Sequence, residues 1–261
     1  MASLPPRSSD AALDRAVRLF APFTRYHNPS FSGLEHIPST GAALLVGNHT
    51  VLGVVDVPHL FAGIWAHKRR ALRALGHHAH FRIPGWRRFL RRAGVVDGTR
   101  ENCAALFEAG ELVLVFPGGS REVTKRKGQR YQLLWGDRLG FATLAVRHRV
   151  PIVPFASVGV EDALDVWIDG DQVLSTPVGT ALRWIGFPPD LVPPLVRGVG
   201  PLPIPRPERF RFAFAPPVDP SAFAHLPESE AAVAVRDAVR HAVEAAIRSL
   251  QSERLRSGGM A

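Results

Sequence analysis

Ala42-Ala43-Leu44-Leu45-Val46-Gly47-Asn48-His49-Thr50 is the stretch from which the rest of the chain can be read. Five consecutive apolar residues suit a strand buried on both faces, because a strand with one wet face alternates polar and apolar positions. The run ends in His49, a titratable imidazole delivered at the end of that strand, and Asp56 follows seven positions later. A histidine in such a place is either a general base or a satisfied structural residue. A second apolar run, 112–116, leads into Pro117-Gly118-Gly119. Base, carboxylate and glycine turn together favour a site over a piece of core.

Further out, apolar runs alternate with helical patterns. Residues 10–23 read as an amphipathic helix with Leu13, Ala16, Val17 and Phe20 on one side, and 33–38 as an extended entry to the 42–46 strand. A helix is expected over 51–66, with Pro58 near a break and a charged extension from Lys68 to Arg73. Gly85 to Arg92 suits a short helix ending at Gly94. Thr99 is an N-cap for 100–108, closed by Gly110. A helix near 141–147, strands at 152–155 and 210–215, and a helix over 228–250 complete the pattern. The expected fold is α/β, a single domain whose mixed, mainly parallel sheet is flanked by helices. An N-terminal amphipathic helical segment (1–32) and a C-terminal helix and tail (221–261) bracket a central domain (33–220). The proline-rich stretch 184–207 is unsuited to regular helix or central strand. It is either an irregular packed loop or an apolar lid carrying Phe187, Leu191, Val192, Leu195 and Val196.

With 261 residues, 46% of them hydrophobic, the chain can bury one sizeable core. Cys103 is the sole cysteine, which excludes an intramolecular disulfide and a four-cysteine zinc site and fits a reducing cytosolic compartment. No metal is expected. Arg7, Asp10, Asp14, Arg15 and Arg18 interrupt any secretory signal. The most apolar longer stretch, 41–66, contains Asn48, His49, Asp56, Pro58 and His59, so no transmembrane helix is expected. The formal charge is +9, and only Lys68, Lys125 and Lys127 are lysines among the 32 basic residues. Arginine use of this kind also tracks coding bias, so the distribution is more informative than the total. Positive charge gathers over 68–92 and again at Lys125-Arg126-Lys127 with Arg130. In the first cluster Trp65, Phe81, Trp86 and Phe89 interleave with the cations, a pattern suited to an anionic membrane interface.

Four blocks in order give the chain a resemblance to the glycerolipid acyltransferases related to bacterial lysophosphatidate acyltransferase. Asn48-His49 with a downstream Asp resembles the first block, and Gly94 to Arg100 has the spacing of the second. Phe116-Pro117-Gly118-Gly119-Ser120-Arg121-Glu122 resembles the third and Val150-Pro151-Ile152-Val153-Pro154 the fourth. Two departures stand out. Six residues separate His49 from Asp56 where four are usual, and on an unbroken helix that spacing leaves the pair about 10 Å apart unless Gly53 lets a loop close the gap. The usual Phe-Pro-Glu-Gly is Phe116-Pro117-Gly118-Gly119, with acid returning at Glu122, a form similar to the monoacylglycerol and diacylglycerol acyltransferase-like branch.

The resemblance implies an O-acyltransferase that moves a fatty acyl group from acyl-CoA or acyl carrier protein to a lipid hydroxyl, with no bound cofactor. His49 would be the base and Asp56 its orienting carboxylate, with Glu122 the next choice. The Gly118-Gly119 turn would supply oxyanion donors. Asn48, Phe116, Pro117, Ser120 and Glu122 would line the substrate site, and Arg100, Arg121 and Lys125 would meet phosphates. The implied partners are a lipid acceptor and an anionic membrane, with the enzyme cytoplasmic and peripheral on the inner face. Three rivals stand beside it: an inactive lipid-binding relative, a serine hydrolase using Ser120, and a basic nucleic-acid-binding protein. Ser120 lacks the Gly-x-Ser-x-Gly elbow, and no nucleic-acid-binding signature is present, so no nucleic-acid partner is expected.

Overall fold

The computed structural model describes residues 4–53, 55–186, 189 and 192–258. The opening stretch forms β2 (Ala43–Gly47), with every residue buried. β5 (Leu112–Val115) and β6 (Ile152–Val158) pair with it in parallel on either side. β3 (Leu72–Gly76) and the short β4 (Val96–Asp97) extend the β5 side in parallel. On the β6 side, β9 (Arg211–Phe214) runs antiparallel and β1 (Ser30–Ser32) pairs with β9. The seven strands are ordered β1-β9-β6-β2-β5-β3-β4, with β2 at the centre.

The alternation of side chains along β2 divides the core into two layers. Leu44 and Val46 face α4 (Arg100–Glu108), α6 (Gly140–His148) and α10 (Glu228–Gly258), whose Val235, Val239, Val243, Ile247 and Leu250 are all buried. Ala43 and Leu45 face α2 (Asp56–Lys68) through Leu60 and Ile64, together with Phe210 and Phe212. α1 (Asp10–His27) lies outside α2, tied by Asp14 to the Trp65 indole (2.8 Å) and Arg69 (2.5 Å). α3 (Pro84–Arg92) flanks the same side. β7 (Asp165–Ile168) and β8 (Leu195–Arg197) form a separate antiparallel pair, accompanied by α7 (Val160–Ala163), α8 (Gly170–Leu174) and α9 (Pro177–Trp184).

Several expectations need correction. The helix expected over 51–66 begins only at Asp56, because Leu52 and Gly53 both take positive φ (64° and 62°) and turn the chain first. Of its charged extension, Lys68 ends α2, Arg69 caps it and Arg73 already lies in β3, and Arg70 and Arg73 are buried. The Arg70 guanidinium donates to the carbonyls of Pro38, Gly41 and Gly110, so it ties loops together and cannot face lipid. Trp65 and Phe81 are also buried, leaving Trp86 and Phe89 as the exposed aromatics of that cluster. Part of the proline-rich stretch is strand β8. Of its apolar set, Val192 and Val196 are buried and Leu195 is exposed, while Phe187 and Leu191 lie outside the described residues. β1 pairs into the main sheet and α10 packs into the main core. No helix among the described residues is long and apolar enough to cross a membrane.

Candidate active site

β2, β3, β4, β5 and β6 run in one direction, so the loops at their carboxyl ends gather along one edge, where open α/β sheets bind ligands. His49 leaves β2 there and Pro117-Gly118-Gly119 leaves β5. The turn at Leu52-Gly53 folds the start of α2 back, bringing Asp56 Oδ2 to 3.2 Å from His49 Nδ1. An ionised carboxylate only accepts, so Nδ1 carries the proton and Nε2 is left with its lone pair. Asp56 also accepts from the N–H groups of Thr50 (3.3 Å) and Val57 (2.9 Å). Burial alone would raise its pKa; His49 and these hydrogen bonds outweigh that and hold it below the usual carboxylate value.

The imidazole is fixed from other directions as well. Phe116 stacks on its face, with ring centroids 3.8 Å apart and planes 6° from parallel. Gly53 closes its far edge, since a Cβ there would stand 2.5 Å from Cε1 and 2.6 Å from Nε2. The backbone of His49 is pinned at both ends: Glu122 Oε2 accepts from its N–H (2.8 Å), and Lys125 Nζ donates to its carbonyl (3.2 Å). Glu122 Oε1 accepts from Leu134 N–H (3.0 Å), so a fully buried carboxylate has both oxygens satisfied. Its chain crosses directly over Gly118, where a Cβ would come within 2.2 Å of Glu122 Cδ. The glycine at 118 and the acid at 122 are therefore one device.

Several residues expected to touch substrate do other work. Asn48 is fully buried and exchanges two hydrogen bonds with the Ser157 backbone (3.0 and 2.8 Å), locking the end of β2 to β6. Lys125 is not a surface cation: it is buried, and its Nζ lies 2.6 Å from Glu161 Oε1. Glu122, the alternative partner for the imidazole, holds the His49 backbone instead. The Gly119 N–H is spent on Phe116 O (3.0 Å), whereas those of Gly118 and Ser120 have no protein acceptor among the described residues. Arg100 and Arg121 are exposed without an acidic partner among the described residues, and Arg100 follows β4, three strands or roughly 14 Å from β2. Among the described residues no hydrogen bond joins Ser120 to His49. Arg138 escaped the sequence reading: its Nη1 donates to the carbonyls of Pro117 and Gly118, both at 2.8 Å, and braces the turn. No local pattern marks it, because its partners lie about twenty positions upstream.

Gly53 also lines an apolar groove of about 550 Å³ between α1, α2 and α3, walled by Phe20, Phe61, Trp65, Trp86 and Phe89. A base with a fixed tautomer beside unengaged N–H donors and an apolar groove defines a site able to activate a hydroxyl next to a lipid chain.

The comparisons agree with this class. A model of the Acyltransferase family matches residues 28–158, and the chain belongs to that family. A bovine (Bos taurus) protein named "DGAT1/2-independent enzyme synthesizing storage lipids" is 33% identical over 137 residues, which is 52% of this chain and 40% of that protein. Its human (Homo sapiens) namesake matches equally, over 42% of its length. An uncharacterized protein of Mycobacterium tuberculosis is 32% identical over 218 residues, 82% of this chain and 58% of its own. The chain thus spans about half the length of these curated relatives. The crystal structure of the 1-acyl-sn-glycerophosphate (LPA) acyltransferase of Thermotoga maritima superimposes with a TM-score of 0.56 at 19% identity, over 89% of this chain and 78% of that one, a likeness of fold.

Proposed function

We propose that this acyltransferase moves a fatty acyl group from a thioester, acyl-CoA or acyl carrier protein, to the hydroxyl of a glycerolipid or other lipid alcohol. His49 Nε2 takes the proton from the acceptor hydroxyl as its oxygen attacks the thioester carbonyl. Asp56 keeps the imidazole in the right tautomer and stabilises its cation. The oxyanion is met by the Gly118 N–H, held in place by Arg138 on the turn's carbonyls. The C–S bond then breaks, and the thiolate takes the proton from the imidazolium. The acyl chain lies in the α1–α2–α3 groove. The acceptor is membrane-resident, and the enzyme meets an anionic bilayer peripherally, on its inner face, through Ile83, Trp86 and Phe89 among the arginines of α3.

The observation that carries this reading is the 3.2 Å His49–Asp56 contact at the edge of that groove, formed despite the lengthened spacing. The test is thioester consumption with palmitoyl-CoA against neutral and phosphorylated acceptors. Acceptor-dependent turnover is expected, falling on the order of a hundredfold or more in His49→Ala and less steeply in Asp56→Asn. Unchanged turnover in folded His49→Ala would overturn it.

A further inference from the structure

The 51–53 turn beside His49 is a partition. Gly53 lines the apolar groove on one side, while Val51 lines a separate cavity of about 410 Å³ on the other. That second cavity lies between the 125–130 segment and the β7–β8 pair, and its walls include Arg126, Lys127, Arg130 and Arg197. Lys125 lines it too, and its Nζ reaches the His49 carbonyl, so a single side chain separates the cavity from the backbone of the base.

Its charge is unbalanced. Asp165 is approached by three guanidiniums: Arg130 at 2.5 Å, Arg206 at 2.9 Å and Arg197 at 4.0 Å. Asp162 also stands 3.7 Å from Arg130, so two carboxylates position three guanidiniums and leave an excess of positive charge. Arg126 is steadied by Asp171 at 2.7 Å, and Lys127, exposed, has no acidic partner among the described residues. Lys125, by contrast, is matched by Glu161 and adds nothing to the excess. The acids thus hold guanidiniums along a concave wall, an arrangement suited to phosphate oxygens.

We propose that this cavity binds the phosphate-bearing end of an amphiphilic substrate whose apolar chain occupies the groove across the partition, so that the bond to be made or broken lies at His49. The proposal rests on the reading of the site as an acyl-thioester site. The phosphates belong either to the nucleotide of an acyl-CoA donor or to a phosphorylated acceptor, and Lys127, Arg130 and Arg197 are the residues that meet them.

The test compares the full-length wild type with Lys127→Ala/Arg197→Ala by calorimetric titration with coenzyme A and with glycerol 3-phosphate. It also compares steady-state kinetics on palmitoyl-CoA and on palmitoyl-pantetheine, a thioester without phosphate. The expected result is a loss of about tenfold in coenzyme A affinity, a matching rise in KM for palmitoyl-CoA with kcat retained, and no change with palmitoyl-pantetheine. A loss confined to glycerol 3-phosphate and phosphorylated acceptors would support the anion site and assign it to the acceptor. Equal losses with both thioesters, or unchanged affinity for both phosphate probes, would overturn it. Lys127→Arg/Arg197→Lys, which keeps the charge, should bind like wild type; if it fails alongside the alanine variant, the residues act structurally and the proposal falls. Phosphate binding that depends on these residues in a protein without acyl transfer would sustain this inference while removing the proposed function.

Discussion

Gly53 does two things that no other residue can do at once. It takes φ of 62°, where an L side chain costs about 1–2 kcal/mol, and it lets the chain lie against the edge of His49. Gly53→Ala should therefore leave a folded protein, slightly destabilised, whose acyl transfer falls at least tenfold because the ring must move; circular dichroism beside the thioester assay checks both parts. Lys125 offers the opposite contrast. As a loop cation it would be neutral to folding, but as the buried partner of Glu161 its replacement by Met should cost about 3–5 kcal/mol in urea unfolding, largely restored by adding Glu161→Leu. At this scale the sequence showed the residues whose partners are close along the chain. His49 and Asp56 are seven apart, and the turn joining them contains its own glycine. Asn48, Glu122 and Lys125 suggest substrate contacts from sequence because they are polar and lie inside recognisable blocks. Their partners, Ser157, Leu134 and Glu161, are 12 to 109 positions away, and nothing local announces that the side chains are buried.

Among the elements, those with uninterrupted patterns were legible. The Thr99 cap accepts from Asn102 N–H as expected, and β2, β5, β6 and α10 fall where the apolar periodicity puts them. β3 was hidden because Arg73 breaks its run; that side chain is buried, where it donates to Pro5 O. The docking of α1 on α2 carries its own pH dependence. His27, at the end of α1, stacks on Phe210 and meets His59 of α2 edge-on. Burial, reinforced by His59, lowers its pKa from 6.5 to about 4. Between those values the unfolded chain binds the proton that the folded one refuses, so stability falls as pH drops, by up to about 1.4 kcal/mol per pH unit. Thermal unfolding should show Tm declining from pH 7 to pH 5, and His27→Phe should flatten part of that slope. An unchanged slope would place the titrating group elsewhere.

Across the whole molecule, the exposed apolar residues Leu19, Phe23, Ile83, Trp86 and Phe89 come from α1, from α3 and from its approach, the helices that wall the groove. A bilayer met there would receive a lipid acceptor straight into the site. Trp86→Ser/Phe89→Ser should lower sedimentation with anionic vesicles by roughly tenfold, while wild-type binding weakens with added salt. The α/β plan was readable because the apolar runs of β2, β5 and β9 are each followed by an expected helix, α2, α6 and α10. The β7–β8 region was not, since its strands are short and half-exposed. β1 gives the fold a temporal order. Its sheet neighbour, β9, lies about 180 residues downstream. During synthesis β1 therefore has no strand to pair with until the chain has grown past Phe214, whereas α1 has its packing partner as soon as α2 is complete at Lys68. The edge of the sheet that is made first is thus the one closed last.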